Sequence, residues 1–296
     1  MGIAVAAFCC VLAADICCAS ETGDEVLEGE GMLSPSSASS QDSVFGRASS
    51  QETVEDEKLQ TLLSQIQSEL PANNGSWSVY VCDLIKSAEG SINDHSMQAA
   101  SLIKLYIMGA VYENYDSLIQ QYGQQNIDSG LYSMITVSDN DAANSLVNCL
   151  GQGNSTAGIN AVNSFCTEHG YNNTSMGRLL LQSNEFNDNY TSVSDCGRFL
   201  KAIYEDISGE YPHADDMFSL LCAQTRRKNI PAQLPEGIRV ANKTGELSDV
   251  ENDAGIIYNT DNDLIIVIMS ENLSEAGSAQ EEIASVSRQI YDYYNQ

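Results

Sequence analysis

The sequence predicts a fold of the α/β (α+β) class, with an antiparallel sheet of about five strands, flanking helices and an all-helical subdomain. Three observations predict this fold. Apolar residues make up 43% of the 296 residues, which is enough for a sizeable core. Strand patterns occur towards the two ends of the folded part, whereas the patterns between them are helical. A sheet built from both ends therefore receives a helical insertion at about residues 97–224.

The first elements of the folded part are a helix and a pair of strands. Apolar residues recur at helical spacing from Glu55 to Leu70, and Pro71 ends the pattern. The stretch from Trp77 to Leu84 alternates and is rich in residues that favour strands. Gly90 marks a turn, and we expect a short return strand from Ser91 to Asp94.

Five predicted helices fill the middle of the chain, and each follows from apolar residues at helical spacing. The first is strongly apolar and is expected to be buried. The fourth has Ser194 as a candidate N-cap. The helices are predicted at Gln98–Tyr112, Asp139–Leu150, Gly158–His169, Ser192–Tyr204 and Met217–Gln224.

Strands return after the string NIPAQLPEG, whose prolines and glycine interrupt regular structure. Three apolar runs predict strands at Ile238–Asn242, Gly255–Asn259 and Leu264–Ser270. An acidic turn at residues 261–263 separates the last two strands. A closing helix is predicted at Ser278–Tyr294.

The chain carries 41 acidic and 13 basic side chains, a formal net charge of −28. Because so few Lys and Arg side chains could displace the counterions of a phosphate backbone, we expect no nucleic-acid partner. Residues 21–57 are especially acidic and rich in Ser and Gly. This composition predicts a disordered linker, with a loosely packed extension as the alternative. The folded domain is predicted to span residues 58–296.

Residues 1–20 form an apolar leader. The run from Ile3 to Ala14 is too short to span a bilayer and is typical of the apolar region of a signal peptide. Ala19 and Ser20 suit a cleavage site. We therefore expect an exported protein, either extracellular or attached to the cell envelope. A lipid anchor on a leader cysteine is the alternative, although bulky Ile16 fits such processing poorly.

Five cysteines follow the leader: Cys82, Cys149, Cys166, Cys196 and Cys222. An odd number allows at most two bridges within the chain. We predict Cys149–Cys166 and Cys196–Cys222, because each pair lies on helices close in sequence. The chain has no CxxC or Cys/His spacing typical of a metal site, so neither a metal nor a cofactor is expected.

Ser101 and Lys104 form a Ser-x-x-Lys pattern at the start of the buried helix. Positions three apart lie on one helical face, so the amine can reach the hydroxyl. A serine hydroxyl needs a nearby base to act as a nucleophile. Burial lowers the pKa of a lysine towards a value suited to proton transfer. The pattern predicts a nucleophile and its base, with a buried structural lysine as the alternative.

A Ser-Asp-Asn motif occupies residues 138–140. The hydroxyl of Ser138 could pass a proton to a leaving nitrogen, and the amide of Asn140 could hold a substrate carbonyl. The alternative is that Ser138 or Asp139 caps the helix that follows.

A Lys-Thr-Gly motif occupies residues 243–245, on a strand expected to border a cleft. Lys243 and Thr244 suit a substrate carboxylate, and Gly245 permits close approach of a substrate backbone. The alternative is an edge strand protected by its lysine.

Together and in this order, the three motifs resemble those of class A serine β-lactamases and penicillin-binding proteins. The contexts MQAASLIKLY, MITVSDNDAAN and VANKTGEL carry the resemblance, which extends over about residues 58–296. It implies an α/β domain joined to a helical domain, and an acyl-enzyme mechanism.

The resemblance also implies a role for each site residue. Ser101 would attack the substrate carbonyl, Lys104 would assist its deprotonation, and Ser138 would pass a proton. Substrate contacts would come from Asn140, Lys243, Thr244 and Gly245, and the backbone N–H groups of Ser101 and Glu246 would form the oxyanion hole.

The sequence departs from class A β-lactamases in the loop that follows the Ser-Asp-Asn motif. Those enzymes carry a deacylating Glu in a Glu-Pro-x-x-Asn context, which is missing here. Glu185 is the best candidate, but its spacing differs, and a surface position is favoured. Arg178 is expected to brace this loop against an acidic group. Only 37 positions separate Ser101 from Ser138, which predicts a shortened helical subdomain.

These features predict a serine hydrolase that is acylated by β-lactams on Ser101 and releases them slowly. One alternative is a D,D-peptidase, a carboxypeptidase or transpeptidase acting on peptidoglycan stem peptides. Another is a non-hydrolytic penicillin-binding sensor. We expect a β-lactam or a stem peptide as the small-molecule partner, no metal, and a monomeric chain.

Overall fold

The computed structural model describes residues 57–206 and 212–295. The predicted leader at residues 1–20 and nearly all of the predicted linker at residues 21–57 lie outside the described residues. Both therefore remain predictions.

A five-stranded antiparallel sheet forms the centre of the fold, in the order β2-β1-β7-β6-β5. Strands from the beginning and the end of the described chain pair in it, because β1 lies against β7. The strands are β1 Ser76–Asp83, β2 Ala88–Ile92, β5 Arg239–Leu247, β6 Val250–Tyr258 and β7 Leu264–Glu271. A small ribbon joins β3 Met97–Gln98 to β4 Tyr190–Thr191. The predicted fold class is confirmed.

Helices account for most of the remaining described residues. The first, α1, covers residues 57–69. The others are α2 Ile103–Glu113, α3 Tyr115–Tyr122, α4 Gln124–Thr136, α5 Asn140–Leu150, α6 Ser155–Glu168, α7 Val193–Glu205, α8 Ala214–Cys222 and α9 Ala276–Tyr294. Two 3-10 turns, Ala100–Leu102 and Ile230–Gln233, complete the set.

The sheet separates two apolar cores. Successive side chains of a strand point to opposite faces, so β7 contributes to both. Ile265, Val267 and Met269 pack against α2 and α7. Ile266 and Ile268 pack against α1 and α9 on the other face. Burial on both faces explains why β7 is a continuous apolar run.

Two helices, the beginning of strand β6 and the cap of α7 differ from the prediction. Helices α3 and α4 were not predicted, because residues 115–136 are rich in Gln, Asn and Ser. Strand β6 begins five residues earlier than predicted, since the polar side chains of Glu251, Asn252 and Asp253 are buried in it. The cap of α7 is Ser192, which accepts a hydrogen bond from the Asp195 amide, rather than Ser194.

The two predicted disulfides are wrong, because all five cysteines of the described chain are free thiols. Cys196 is buried beside the hydroxyl of Tyr106, 3.5 Å from its Sγ. The Sγ of Cys222 lies 3.2 Å from the hydroxyl of Tyr258. Burial raises the pKa of both Cys166 and Cys196 to about 12, which keeps these thiols protonated and unreactive.

Within the described ranges, no helix is both long enough and apolar enough to cross a membrane. The same residues contain no group of three or more His, Cys, Asp and Glu side chains that could hold a metal ion.

Candidate active site

Ser101 lies in the 3-10 turn that leads into α2. The preceding residue, Ala100, has φ 47°, a left-handed conformation that is uncommon for a residue with a β-carbon. Asn252 of β6 holds this segment, because its side-chain amide donates to the carbonyls of Gln98 at 2.9 Å and Ala99 at 3.3 Å. The sheet thus fixes a strained turn at the predicted nucleophile.

The side chain of Lys104 is fully buried beside Ser101. Its Nζ lies 3.0 Å from the Oγ of Ser101. It also contacts the carbonyl oxygen of Ser138 at 2.7 Å, the Oγ of Ser138 at 3.1 Å and the Oδ1 of Asn140 at 2.7 Å. The structure therefore brings together the Ser-x-x-Lys and Ser-Asp-Asn motifs around one amine.

Burial, and then the charge of Arg226, lower the pKa of Lys104 from its ordinary value to about 7, against an opposing effect of Asp139. Much of the lysine is consequently neutral at neutral pH. A neutral amine has a lone pair that can take the proton of the Ser101 hydroxyl. This arrangement can supply the base that the predicted nucleophile would require.

We expect acylation of Ser101 to depend on the protonation of Lys104. Below the pKa of about 7, the amine is protonated and cannot accept the serine proton. The acylation rate should therefore fall about tenfold per pH unit below that value and reach a plateau above it. Measuring the second-order rate constant with a fluorescent penicillin across this range checks the prediction. A rate that rises as the pH is lowered would contradict it.

Ser138 lies between two lysines. The Nζ of Lys243 is 2.9 Å from the Oγ of Ser138 and 2.7 Å from the carbonyl oxygen of Thr244. Burial, and then the charge of Lys104, lower the pKa of Lys243 well below its ordinary value. A hydroxyl between two amines of this kind can exchange protons with either of them.

Of the two residues that could cap the helix after the Ser-Asp-Asn motif, Ser138 and Asp139, the structure has Asp139 as the cap. Its carboxylate accepts a hydrogen bond from the amide of Ala142 at 2.8 Å and begins α5. Ser138 instead has φ 61°, and its side chain points towards Lys104 and Lys243. Asp139 therefore caps the helix, whereas the side chain of Ser138 faces the two lysines.

Gly245 allows β5 to pass against the nucleophile turn. A β-carbon at this position would lie 2.8 Å from the carbonyl oxygen of Ala99 and 3.2 Å from the amide nitrogens of Ser101 and Leu102. From the sequence, Gly245 was expected to allow close approach of a substrate backbone. The structure adds the close approach of the protein's own backbone.

A Gly245→Ala substitution should therefore separate β5 from the turn. We expect acylation to slow at least about tenfold and the free energy of unfolding to fall by about 1–3 kcal/mol. Gly277→Ala is the matched control, since nothing lies within 4 Å of the added methyl group in α9. It should leave acylation unchanged. Thermal denaturation and acylation kinetics of both variants test the difference, and equal behaviour would refute the explanation.

The loop at residues 178–188 forms the opposite wall of the cleft. The Nε of Arg178 lies 2.7 Å from the Oδ1 of Asp188, which confirms that Arg178 braces this loop. The other oxygen of Asp188 accepts a hydrogen bond from the side chain of Gln98 at 2.9 Å. The backbone N–H of Gln98 donates to the carboxylate of Glu271 at 2.9 Å. This chain of contacts ties the loop to the sheet. The side chain of Glu185 is exposed.

The cleft beside Ser101 has a volume of about 290 Å³. Among the predicted site residues, Asn140 and Glu246 line it with Ser101, whereas Glu185 is not among its lining residues. Lys104, Lys243 and Thr244 are buried behind its surface.

Sequence reasoning missed several residues of the cleft. Leu180 and Leu181 present apolar side chains there, and Asp249 adds a carboxylate. Arg226 lies at the edge, where its Nη1 is 3.0 Å from the Oε1 of Glu246. No motif marks these residues. Their place depends on how the loop and the β5–β6 turn fold around Ser101.

The fold is similar to those of three solved structures. A β-lactamase from Sphaerobacter thermophilus is 20% identical, with a TM-score of 0.68 over 78% of this chain and 96% of that one. The TLA-1 extended-spectrum β-lactamase is 21% identical, with a TM-score of 0.69 over 80% of this chain and 99% of that one. PBP-A is 25% identical, with a TM-score of 0.67 over 78% and 95%. A variant of PBP-A has been solved as an acyl-enzyme complex with penicillin G.

No curated protein matches the sequence. The family model described as the beta-lactamase enzyme family matches residues 61–125 and 118–294, which together cover most of the chain. This match agrees with the fold and with the three motifs gathered at the cleft. The chain belongs to the beta-lactamase enzyme family.

Proposed function

We propose that this chain is a class A-like serine hydrolase that forms an acyl-enzyme on Ser101 with β-lactams and releases the acyl group slowly. The observation that carries the proposal is the pair of Ser101 and Lys104. Their Oγ and Nζ atoms are 3.0 Å apart, and the pKa of the amine is about 7. The candidate nucleophile is thus in contact with an amine that is partly neutral at neutral pH.

Acylation would proceed in three linked steps. Lys104 takes the proton of Ser101 as its oxygen attacks the lactam carbonyl. The carbonyl oxygen becomes negative and accepts from the backbone N–H groups of Ser101 and Glu246, each worth about 3 kcal/mol in acyl-transfer enzymes. The lactam C–N bond then breaks, and Ser138 donates a proton to the leaving nitrogen and regains one from an adjacent lysine.

Three other side chains would hold the substrate during this reaction. The side of the cleft behind which Lys243 and the hydroxyl of Thr244 are buried suits the carboxylate of a β-lactam, whose charge would favour the protonated lysine. The Asn140 amide, which already faces Lys104, suits the amide group of the acyl substituent. In this arrangement the acyl substituent would lie in the cleft that Asn140 lines, whereas the carboxylate would face the buried Lys243.

Deacylation needs a water molecule and a base that removes its proton. The loop that faces Ser101 presents Leu180 and Leu181 to the cleft, and its exposed Glu185 is outside the lining. Loss of a positioned base slows a proton-transfer step by about 100- to 10,000-fold. A long-lived acyl-enzyme is the expected consequence.

Mass spectrometry after exposure to benzylpenicillin tests the proposal. We expect the intact drug mass to add to the protein, to map to the peptide that contains Ser101, and to persist after free drug is removed. The Ser101→Ala variant should carry no adduct. Rapid multi-turnover hydrolysis of a chromogenic cephalosporin by the unmodified protein would argue against slow release.

A D,D-peptidase acting on stem peptides that end in D-Ala-D-Ala is the second candidate. The loop favours it, because none of its carboxylates lines the cleft and a transpeptidase, whose acceptor is an amine, needs no dedicated base for water. Release of D-alanine from such a peptide at a rate that Ser101→Ala abolishes would favour this function. Its absence, together with a penicillin adduct, would favour the first candidate.

We also propose that the chain is exported, on the basis of the apolar leader and its small residues at Ala19 and Ser20. Expression of the full chain with its leader and mass analysis of the secreted product test this proposal. Retention of the whole leader on an intracellular product would contradict it.

A further inference from the structure

The end of the cleft away from the lysines is formed by the loop and by the hairpin that joins β5 to β6. Leu247 and Val250 are paired across this hairpin, so residues 248 and 249 form a two-residue turn. The carbonyl oxygen of Asp249 accepts from the amide of Leu273 at 3.0 Å. The backbone of the turn is thus held by the strand pairing and by this hydrogen bond, and Asp249 lines the cleft from it.

Three charged side chains line the cleft, and two of them are paired. Arg178 is opposed by Asp188 at 2.7 Å, and Glu246 is opposed by Arg226 at 3.0 Å. The carboxylate of Asp249 accepts a hydrogen bond from the Ser248 hydroxyl at 3.3 Å. No lysine or arginine in the described part of the chain lies within 4.0 Å of it. This end of the cleft therefore carries one negative charge without a paired cation.

Apolar surface lies next to this charge. Leu180 and Leu247 contribute to the wall, and Leu181 is 71% exposed and has φ 68°. A large apolar side chain held outward in a left-handed conformation is costly for the free protein. A ligand with an apolar body and a cationic tip would cover the leucines and meet the Asp249 carboxylate.

We propose that Asp249 selects acyl donors whose acyl substituent carries a protonated amine next to an apolar group. The inference rests on the proposed function, which places the substrate carboxylate at Lys243 and Thr244. An acyl substituent held by Asn140 then lies in the cleft that the leucines and Asp249 also line. A β-lactam side chain and a diamino acid in a peptide can each supply this amine, and both offer the same ammonium group.

Three penicillins with a common nucleus test the selection. Benzylpenicillin has a neutral phenylacetyl group, ampicillin adds an ammonium on the carbon next to the ring, and carbenicillin places a carboxylate there. We expect acylation of Ser101 at slightly acidic pH to be fastest for ampicillin and slowest for carbenicillin, with a ratio of about tenfold or more at low salt. The ratio should shrink as salt is added.

Asp249→Asn should reduce the ratio of ampicillin to carbenicillin at least severalfold, because it removes the charge and keeps the shape. Asp261→Asn, in the exposed β6–β7 turn, is the matched control and should preserve the ratio. In a peptide ending in D-Ala-D-Ala, a preceding lysine with a free amine should acylate faster than its acetylated form. That arm tells whether peptides share the preference.

The possible results distinguish failure of the proposed function from failure of the role proposed for Asp249. If none of the penicillins acylates Ser101, the proposed function fails. If all three acylate at equal rates, or if Asp249→Asn leaves the ratio unchanged, acylation stands and the role of Asp249 is overturned.

Discussion

Replacing Lys104 with methionine should slow acylation of Ser101 by about 100- to 10,000-fold, the range typical of a lost general base. The amine lies 3.0 Å from the serine oxygen, and burial brings its pKa to about 7. Methionine fills a similar volume but cannot accept a proton. Its effect should therefore appear in the acylation step, and the rate should lose its dependence on pH near the pKa of the lysine.

Lys201→Met provides the control for removal of a lysine. The Nζ of Lys201 on α7 lies 3.2 Å from Glu89, outside the cleft. This variant should lose a partly exposed ion pair, which is worth little, and keep its acylation rate. Stopped-flow measurement with a fluorescent penicillin compares the two variants, and circular dichroism verifies that both are folded. If Lys104→Met retained normal acylation, the mechanism would need a different base.

Local sequence patterns predict the elements whose burial follows a simple rule. Strand β7 is a continuous apolar run because both of its faces are covered. Ser101 and Lys104 meet because three positions along a helix bring two side chains to one face. In both cases the spacing of residues along the chain is enough to predict which side chains share a face.

Patterns fail where polar residues are buried or apolar residues are exposed. The polar side chains of Glu251, Asn252 and Asp253 are buried in β6, where Asn229 donates to Glu251 and Asn242 of the neighbouring strand donates to Asp253. Asn252 holds the turn before Ser101, although its hydrogen bond to Gln98 joins residues 154 positions apart in the sequence. Such pairs depend on tertiary structure, so no window of sequence predicts them.

Part of the candidate site could likewise be predicted from local patterns, and part could not. The three motifs predict the serine, the two lysines and the hydroxyl between them, because each motif fixes its residues relative to a local element. The loop wall could not be predicted. Its shape depends on the ion pair of Arg178 with Asp188 and on contacts with Asn144, which lies on α5.

A Leu180→Glu substitution should speed deacylation by about 100- to 10,000-fold, because it returns a base to the wall that faces Ser101. The backbone of Leu180 is held by Asn144, whose side chain donates to its carbonyl at 3.0 Å and accepts from its amide at 2.9 Å. The new side chain would thus start from a fixed point. Only 6% of Leu180 is exposed, so burial should raise the pKa of the new carboxyl towards neutrality.

Two controls separate the base from the shape of the side chain. Leu180→Gln has the same size as the glutamate but cannot take a proton, so its adduct should persist. Leu181→Glu places a carboxylate one residue away on a side chain that is 71% exposed, and it should change release little. The lifetime of the benzylpenicillin adduct, followed by intact mass, is the measurement. Equal lifetimes for the Glu and Gln variants at position 180 would mean that water, rather than a missing base, limits release. A shortened lifetime for Leu180→Glu alone would trace the slow step to one leucine in the loop.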